Sequence, residues 1–535
     1  MPRVFVADKL ETPGLDFMRQ AGLELDLRPG LKGEELQAAV RAAEGVIVRS
    51  GTTITAAELE TPGKLRVIVR AGVGVDNIDV ATATRRGILV MNTPGGNTVS
   101  TAEQTIALLF ALARHTPAAD ASLRAGKWER SKFTGTQLAG KTIGVIGLGR
   151  IGREVARRCV GMDMKVIGFD PFIPATAAGF EVAADLSSLL SRCDFLTVHT
   201  PLSDETKGLI GAAQLSTMPK GARVLNCARG GIIDEAALAA ALQSGHIAGA
   251  ALDVFSEEPP PAGHPLIGLP NVVVTPHLGA STVEAQLSVA REAGQLMVDY
   301  LTRGVVGFAV NMPAVDRAEL DEMRLYIDLA RRLGLLLGQL APAAPHKAEL
   351  LYRGDVAKRS TRLITAAFAA GLLETRVEGV NIVNAPLLAS ERGIEMIEQK
   401  STQKGDFSTM IEAELHTAKG KISAAGTLFG NQYLRLVRLG EYHLDAYLDG
   451  LMLLFHHQDV PGLIGFVGTL FGKMGVNIAQ MTVGRQSPGG VAIGVLNLDS
   501  QPSEEGLREV KSHPKISSAE VVKLPPAGQM PPWFG

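Results

Sequence analysis

The stretch Thr142-Ile143-Gly144-Val145-Ile146-Gly147-Leu148-Gly149-Arg150-Ile151-Gly152, with Lys165-Val166-Ile167-Gly168-Phe169-Asp170 after it, decides how this chain is read. A short apolar strand runs into Gly-x-Gly-x-x-Gly, a helix follows, and a second apolar strand ends in an acid. That order is the fingerprint of a dinucleotide-binding βαβ unit. Gly147 permits the tight turn, and Gly149 removes a side chain where a pyrophosphate must approach the backbone. Gly152 lets the helix sit close to the strand, and the helix N-terminus supplies N–H donors and a positive dipole end. Asp170 lies 18 residues past Gly152, placed to accept hydrogen bonds from ribose hydroxyls. Its charge repels a 2′-phosphate, and Pro171 and Phe172 follow rather than an Arg, so NAD is favoured over NADP.

Outward from this motif, 535 residues are too many for one core, so about three or four domains are expected. Aliphatic residues must fill them, since aromatics make up only 5%. A net charge of −2 gives no electrostatic reason to expect nucleic acid or an anionic membrane as partner. Cys159, Cys193 and Cys227 lack metal-ligand spacing, no metal is expected, and their odd number argues against a disulfide framework. They read as small buried hydrophobes in a reducing compartment, so the chain is expected to be cytoplasmic. The N-terminus reads as a strand rather than a signal peptide, and no apolar run is long enough to span a bilayer.

Val4–Ala7, Gly45–Val48, Arg66–Val69 and Ile88–Met91 read as buried parallel strands of a first α/β unit. A helix is expected from Thr98 to His115, stopped or kinked by Pro117. Further strands follow the fingerprint at Phe195–Val198, Arg223–Leu225, Ala250–Leu252 and Val272–Val274. Beyond about residue 313 the texture changes to Leu-rich helix and then mixed strands and turns. Residues 450–525 carry a βαββαβ-like pattern, with a last strand near Glu520–Lys523.

Three polar residues stand just past strands downstream of the fingerprint: Arg229, Glu258 and His277. Strand ends of a doubly wound sheet open on one crevice, so the three can converge beside a nicotinamide. Oxidation of a 2-hydroxy acid needs a cation to hold the carboxylate and polarise the carbon–oxygen bond, which a bidentate Arg supplies. It needs a base for the hydroxyl proton, which His supplies, and a carboxylate behind that His to orient it.

The segments Ala71–Asp79, Gly147–Gly152, Asn226–Gly231 and Pro276–Ala280 resemble the D-isomer-specific 2-hydroxyacid dehydrogenase family. Over nearly its whole length the chain is similar to the long-form members that act on 3-phosphoglycerate. Asn92–Asn97, Gly126–Arg130, Leu252–Phe255 and Glu257–Pro260 are close as well. The resemblance implies two doubly wound Rossmann-like α/β domains followed by two α+β regulatory domains, the last ferredoxin-like. It implies a discontinuous substrate domain (1–97 and 284–313), an inserted NAD domain (98–283), an allosteric substrate-binding-type domain (314–447) and an ACT domain (450–526). It assigns Arg229 to the substrate carboxylate, His277 to acid/base work and Glu258 to support of the His. For NAD it implies Arg150 and Ile151 at the pyrophosphate and Asp170 at the ribose, with Thr200, Cys227, Arg229, Asp253, His277 and Gly279 on the nicotinamide side. For the substrate it points to the backbone of Val73 and Gly74, to Arg49 and Arg70 as phosphate cations, and to Asn97, with Lys132 a weaker candidate.

His457-Gln458-Asp459-Val460-Pro461-Gly462, with Gly475-Val476-Asn477-Ile478 beyond, resembles an ACT ligand-binding domain. By that resemblance the effector is L-serine, held by His457, Asp459 and Asn477 between ACT domains of a homo-oligomer, a dimer or tetramer. Val380–Ala389 with Glu391–Ile394 resembles the allosteric domain of the long form. The rival readings are a dehydrogenase for another acid, such as glycerate, glyoxylate or lactate, and a non-catalytic NADH-sensing corepressor.

Overall fold

The computed structural model describes residues 1–173, 179–313, 317–430 and 432–531. Five strands form a first, all-parallel sheet: β1 (Arg3–Val6), β2 (Glu24–Leu27), β3 (Gly45–Val48), β4 (Val67–Arg70) and β5 (Leu89–Asn92), in the order 2-1-3-4-5. β3 is buried along its whole length, as a run of Val and Ile covered by helices on both faces requires.

The chain then crosses through helix Thr98–Arg114 to a second parallel sheet. Its strands are β6 (Thr142–Ile146), β7 (Lys165–Phe169), β8 (Glu181–Val182), β9 (Phe195–Val198), β10 (Ala222–Asn226), β11 (Ile247–Leu252) and β12 (Val272–Val274). The order 12-11-10-9-6-7-8 puts the fingerprint strand β6 between β9 and β7, where the winding reverses and a crevice opens. The helix before this sheet ends at His115, which takes a left-handed φ of 56°. A second helix, Thr116–Arg124, starts there with Pro117 in its first turn. The proline therefore opens a helix instead of ending one, as its missing N–H allows.

Helix Val283–Arg303 returns the chain to the first sheet. Thr282 caps it by accepting from the Ala285 N–H, and Gly304 ends it at a φ of 64°. Its buried face, including Ala290, Ala293 and Met297, joins Val4, Val6, Met18 and Val67 in one core. Residues 314–316, where the third unit was expected to begin, lie outside the described residues.

Helix Arg317–Leu340 leads into a mixed sheet of β13 (Pro345–Gly354), β14 (Glu395–Ser401), β15 (Thr409–Thr417), β16 (Gly420–Phe429), β17 (Tyr433–Leu439) and β18 (Tyr442–Tyr447), ordered 14-13-15-16-17-18. The last unit is βαββαβ: β19 (Leu451–Gln458), β20 (Ile478–Arg485), β21 (Val491–Leu498) and β22 (Ile516–Lys523) form an antiparallel sheet ordered 20-21-19-22. β22 begins four residues before the strand expected from Glu520, because Ile516 and Ser518 already pair with β19. The fully buried Arg332 ties this unit back to helix Arg317–Leu340. It pairs with Asp328 and donates to the carbonyls of Leu448, Pro525, Pro526 and Gln529. A buried cation needs such a counter-charge and acceptors. Among the described residues no helix is long and apolar enough to cross a membrane.

Candidate active site

The carboxyl ends of the two parallel sheets face each other. Arg49 follows β3 and Arg70 ends β4, while Gly147, Asp170, Thr200, Cys227, Asp253 and Thr275 all follow strands of the second sheet. Parallel sheets concentrate their loops at this edge, so residues far apart in sequence meet there.

The glycine fingerprint has the geometry its spacing implies. Gly147 takes a φ of 87°, and a Cβ there would lie 2.7 Å from the His199 carbonyl oxygen. A Cβ on Gly152 would lie 1.9 Å from the Gly147 oxygen, whereas one on Gly149 would meet nothing within 4 Å. The backbone is thus closed beneath the turn and open above it, where helix Arg150–Val160 begins. Asp170 faces the same turn and accepts from the N–H groups of Leu148 and Phe172, each at 2.9 Å. Thr200 Oγ1 is buried and finds no partner among the described residues. Open space over Gly149 and an unsatisfied buried hydroxyl fit a dinucleotide, whose phosphates and amide supply the missing partners.

The expected triad is assembled in two parts. His277 Nδ1 lies 2.7 Å from Glu258 Oε2, with both side chains partly exposed. Burial pushes the Glu258 carboxyl up. The His277 hydrogen bond, the Phe255 N–H and the charges of His277 and Arg229 outweigh that and hold it below the usual carboxylate range. Arg229 Nε donates to Asp76 Oδ2 at 2.8 Å and its Nη1 to the Ala228 carbonyl at 2.6 Å. Asp76 comes from the first sheet, so this pair spans the cleft. The buried Asn226 side chain braces the turn, donating to the Arg229 carbonyl at 2.8 Å and accepting from the Ala228 N–H at 3.0 Å.

Gly74 touches Arg229, since a Cβ built there would lie 1.7 Å from its Nη2. Val73 is fixed by Asn92, whose Nδ2 donates to the Val73 carbonyl. Arg70 stands beside Arg229 and Arg49, and burial followed by the Arg229 charge pulls it down to about 10. Its Nε is buried and finds no partner among the described residues. Three guanidinium groups with Asp8 and Asp76 as counter-charges favour an arriving anion. Arg49 donates to the Lys9 carbonyl, and Lys132 pairs with Glu129. Asn97 Oδ1 is buried without a partner among the described residues.

Asp253, expected on the nicotinamide side, holds the backbone of the next strand end. It is fully buried, and its carboxylate accepts from the N–H groups of Leu278 and Gly279 at 2.8 and 2.9 Å and from Thr275 Oγ1 at 2.5 Å. It therefore shapes the turn that carries His277, which takes a φ of 55°. Ser100 and Thr101 donate to the Gly279 carbonyl from the opposite side. Cys227 is buried, and burial pushes its thiol up to about 12, so it packs as a neutral group. Sequence reasoning missed Asp76, although it stands inside a quoted segment, because nothing local to it announces Arg229.

At the effector motif the structure separates what the sequence had grouped. His457 is buried and stacked on Phe455, and its Nε2 finds no partner among the described residues. It lines a cavity of about 430 Å³ with Gln458, Gly490 and Lys515. Asp459 accepts from Arg485 and from the Gly489 N–H, at the same end of the sheet. Asn477 donates to Asp499 at the other end, because Gln458 pairs with Val491 whereas Ile478 pairs with Leu498. Asn477 does not join His457 and Asp459 within one chain.

Comparison with known proteins gives three family matches along the chain. Residues 106–279 match the D-isomer specific 2-hydroxyacid dehydrogenase, NAD binding domain; residues 322–440 match the D-3-phosphoglycerate dehydrogenase intervening domain; residues 451–515 match the ACT domain. The D-3-phosphoglycerate dehydrogenase of Archaeoglobus fulgidus is 42% identical, over 98% of this chain and 100% of its own length. That of Methanocaldococcus jannaschii is 41% identical over the same shares. Among solved structures, the NAD-dependent formate dehydrogenase of Staphylococcus aureus in complex with NAD aligns with a TM-score of 0.52 at 29% identity, over 56% of this chain and 96% of that one. With its paired parallel sheets, intervening unit and terminal ACT unit, the chain belongs to the D-3-phosphoglycerate dehydrogenases of the D-isomer specific 2-hydroxyacid dehydrogenase family.

Proposed function

We propose that this chain oxidises 3-phosphoglycerate at C2 to 3-phosphohydroxypyruvate, opening serine synthesis, with Arg229, Glu258 and His277 as its catalytic residues. Bound NAD supplies the hydride acceptor. Gly147, Gly149, Gly152 and the N-terminus of the following helix hold the pyrophosphate with Arg150 and Ile151, and Asp170 holds the ribose. Arg229 and the Val73–Gly74 backbone bind the substrate carboxylate, Arg49 and Arg70 take the phosphate, and Asn97 is a further contact. The Nδ1–H of His277 donates a hydrogen bond to the Glu258 carboxylate, which leaves the Nε2 lone pair to take the C2 hydroxyl proton as hydride departs. The carboxylate of Glu258 then balances the imidazolium.

The observation that carries this reading is the contact of Arg229 with Gly74 and Asp76 across the cleft, on the strand-end edge that also bears the His277–Glu258 pair. NADH formation with a panel of acids tests it. The highest kcat/KM belongs to 3-phosphoglycerate, and a preference for glycerate or lactate would refute the substrate assignment.

We further infer a cytoplasmic homo-oligomer in which L-serine is held by His457 and Asp459 of one copy and the Asn477 amide of another. The unsatisfied His457 Nε2 and the distance of Asn477 from that end of the sheet support this arrangement. Millimolar serine should slow turnover or raise the melting temperature. Neither response would end the effector reading.

A further inference from the structure

Asp76 joins the two parallel-sheet units at the substrate cleft. Its Oδ2 accepts from Arg229 Nε at 2.8 Å, while Arg229 Nη1 donates to the neighbouring Ala228 carbonyl at 2.6 Å. The guanidinium is therefore held at two of its nitrogens, one by the opposite unit and one by its own turn. The remaining N–H groups lie on Nη1 and Nη2, and Nη2 rests against Gly74. The free end of the fork thus meets the Val73–Gly74 backbone.

The segment that presents Asp76 is itself anchored in the first unit. Asn77 Nδ2 donates to the carbonyls of Arg49 and Thr52 at 2.6 and 2.5 Å, and the Asn77 carbonyl accepts from the Ile54 N–H at 2.8 Å. Ile78 bridges to Ile54, and Asp79 caps the next helix by accepting from the Thr82 N–H. Asp76 is a fixed acceptor against which Arg229 is set. Its side chain is 55% exposed, and an ion pair so open to water adds little to folding. Its charge also works against an arriving anion. The contribution left to it is orientation.

We propose that Asp76 is a positioning residue that sets the plane of the Arg229 guanidinium, so that the donors left free hold the substrate carboxylate and polarise the bond between C2 and its oxygen. The proposal rests on the reading of Arg229 as the substrate-binding cation. Asp76 and Arg229 belong to different units, so the guanidinium is aimed only while the cleft keeps this separation.

Two measurements on the full chain test this. One is the hydride-transfer rate, read as NADH formation in a single turnover. The other is the affinity of the enzyme–NADH complex for 3-phosphoglycerate, read by nicotinamide fluorescence without turnover. Asp76→Ala should slow hydride transfer about tenfold or more while changing that affinity by less than about threefold, since lost orientation and lost repulsion oppose each other in binding. Asp76→Asn keeps an oxygen for Arg229 Nε but not the charge. It should restore the rate to within about threefold of the parent and tighten 3-phosphoglycerate about three- to tenfold. An unchanged rate in Asp76→Ala would overturn the proposal, as would an affinity lost in proportion to the rate, or an Asp76→Asn as slow as Asp76→Ala. If Asp76→Ala does not fold, Asp76→Asn still decides, because an unchanged or weakened affinity there overturns the proposal. Arg229→Ala, measured alongside, should lose about a hundredfold or more in kcat/KM. Full activity in that variant would remove the reading of Arg229 itself, and the proposal with it.

Discussion

His277 and Glu258 meet at 2.7 Å across a turn in which His277 adopts a left-handed φ of 55°. The charges around Glu258 keep its carboxyl low, so it is ionised where the enzyme works and stabilises a protonated His277. Glu258→Gln removes that counter-charge. The expected result is a loss in kcat/KM of about 10- to 100-fold, with the acid limb of the pH–rate profile moved to lower pH because the imidazolium forms less readily. A limb that stays in place would mean that Glu258 does not act through His277. His277→Ala should cost more, at least about a thousandfold, with NADH binding kept.

Gly74 offers a steric test of the carboxylate site. A methyl group there would fall 1.7 Å from Arg229 Nη2 and 2.6 Å from Asp76 Oδ2, both movable side-chain ends. Gly74→Ala should therefore fold but push Arg229 out of its bed. The expected signature is a KM for 3-phosphoglycerate raised about tenfold or more, with NADH affinity preserved. Unaltered KM would show that the carboxylate binds elsewhere.

Asp170 tests cofactor choice. Its carboxylate faces the glycine turn through the Leu148 and Phe172 N–H groups and presents a negative charge where a 2′-phosphate would lie. Asp170→Ala should lower the ratio of kcat/KM for NAD over NADP by about tenfold or more. Comparing the two cofactors in one preparation separates this from general loosening of the turn, which would depress both alike.

Much of this was legible because parallel strands leave a strong local trace. Runs such as Val46–Val48 and Ile143–Ile146 are apolar throughout, and the chemistry follows directly at their ends. Arg229, Glu258 and His277 were found that way. What local pattern cannot show is which strand end faces which. Asp76 and Arg229 meet across 153 positions of sequence. Asp253, which the family resemblance places at the cofactor, is buried with its carboxylate on the backbone of the His277 turn, a contact no local pattern announces. Asn477 was grouped with His457 by motif, and the strand order of the last sheet separates them.

His199, next to the glycine turn, makes a prediction about stability rather than turnover. It is partly buried with Nε2 3.0 Å from Thr197 Oγ1, and burial pulls its imidazole down to about 4 from an ordinary value of 6.5. Below about pH 6.5 the unfolded chain takes up a proton at this position, while the native chain does not until about pH 4. Folding therefore loses stability as pH falls through that window, by up to about 3 kcal/mol at its lower end. His199→Gln removes the titrating group while keeping a side chain that can hydrogen-bond Thr197. Urea unfolding at several pH values should show a shallower fall for the variant between about pH 6.5 and about pH 4. Parallel curves for the two proteins would mean that the native His199 is protonated as readily as the unfolded one.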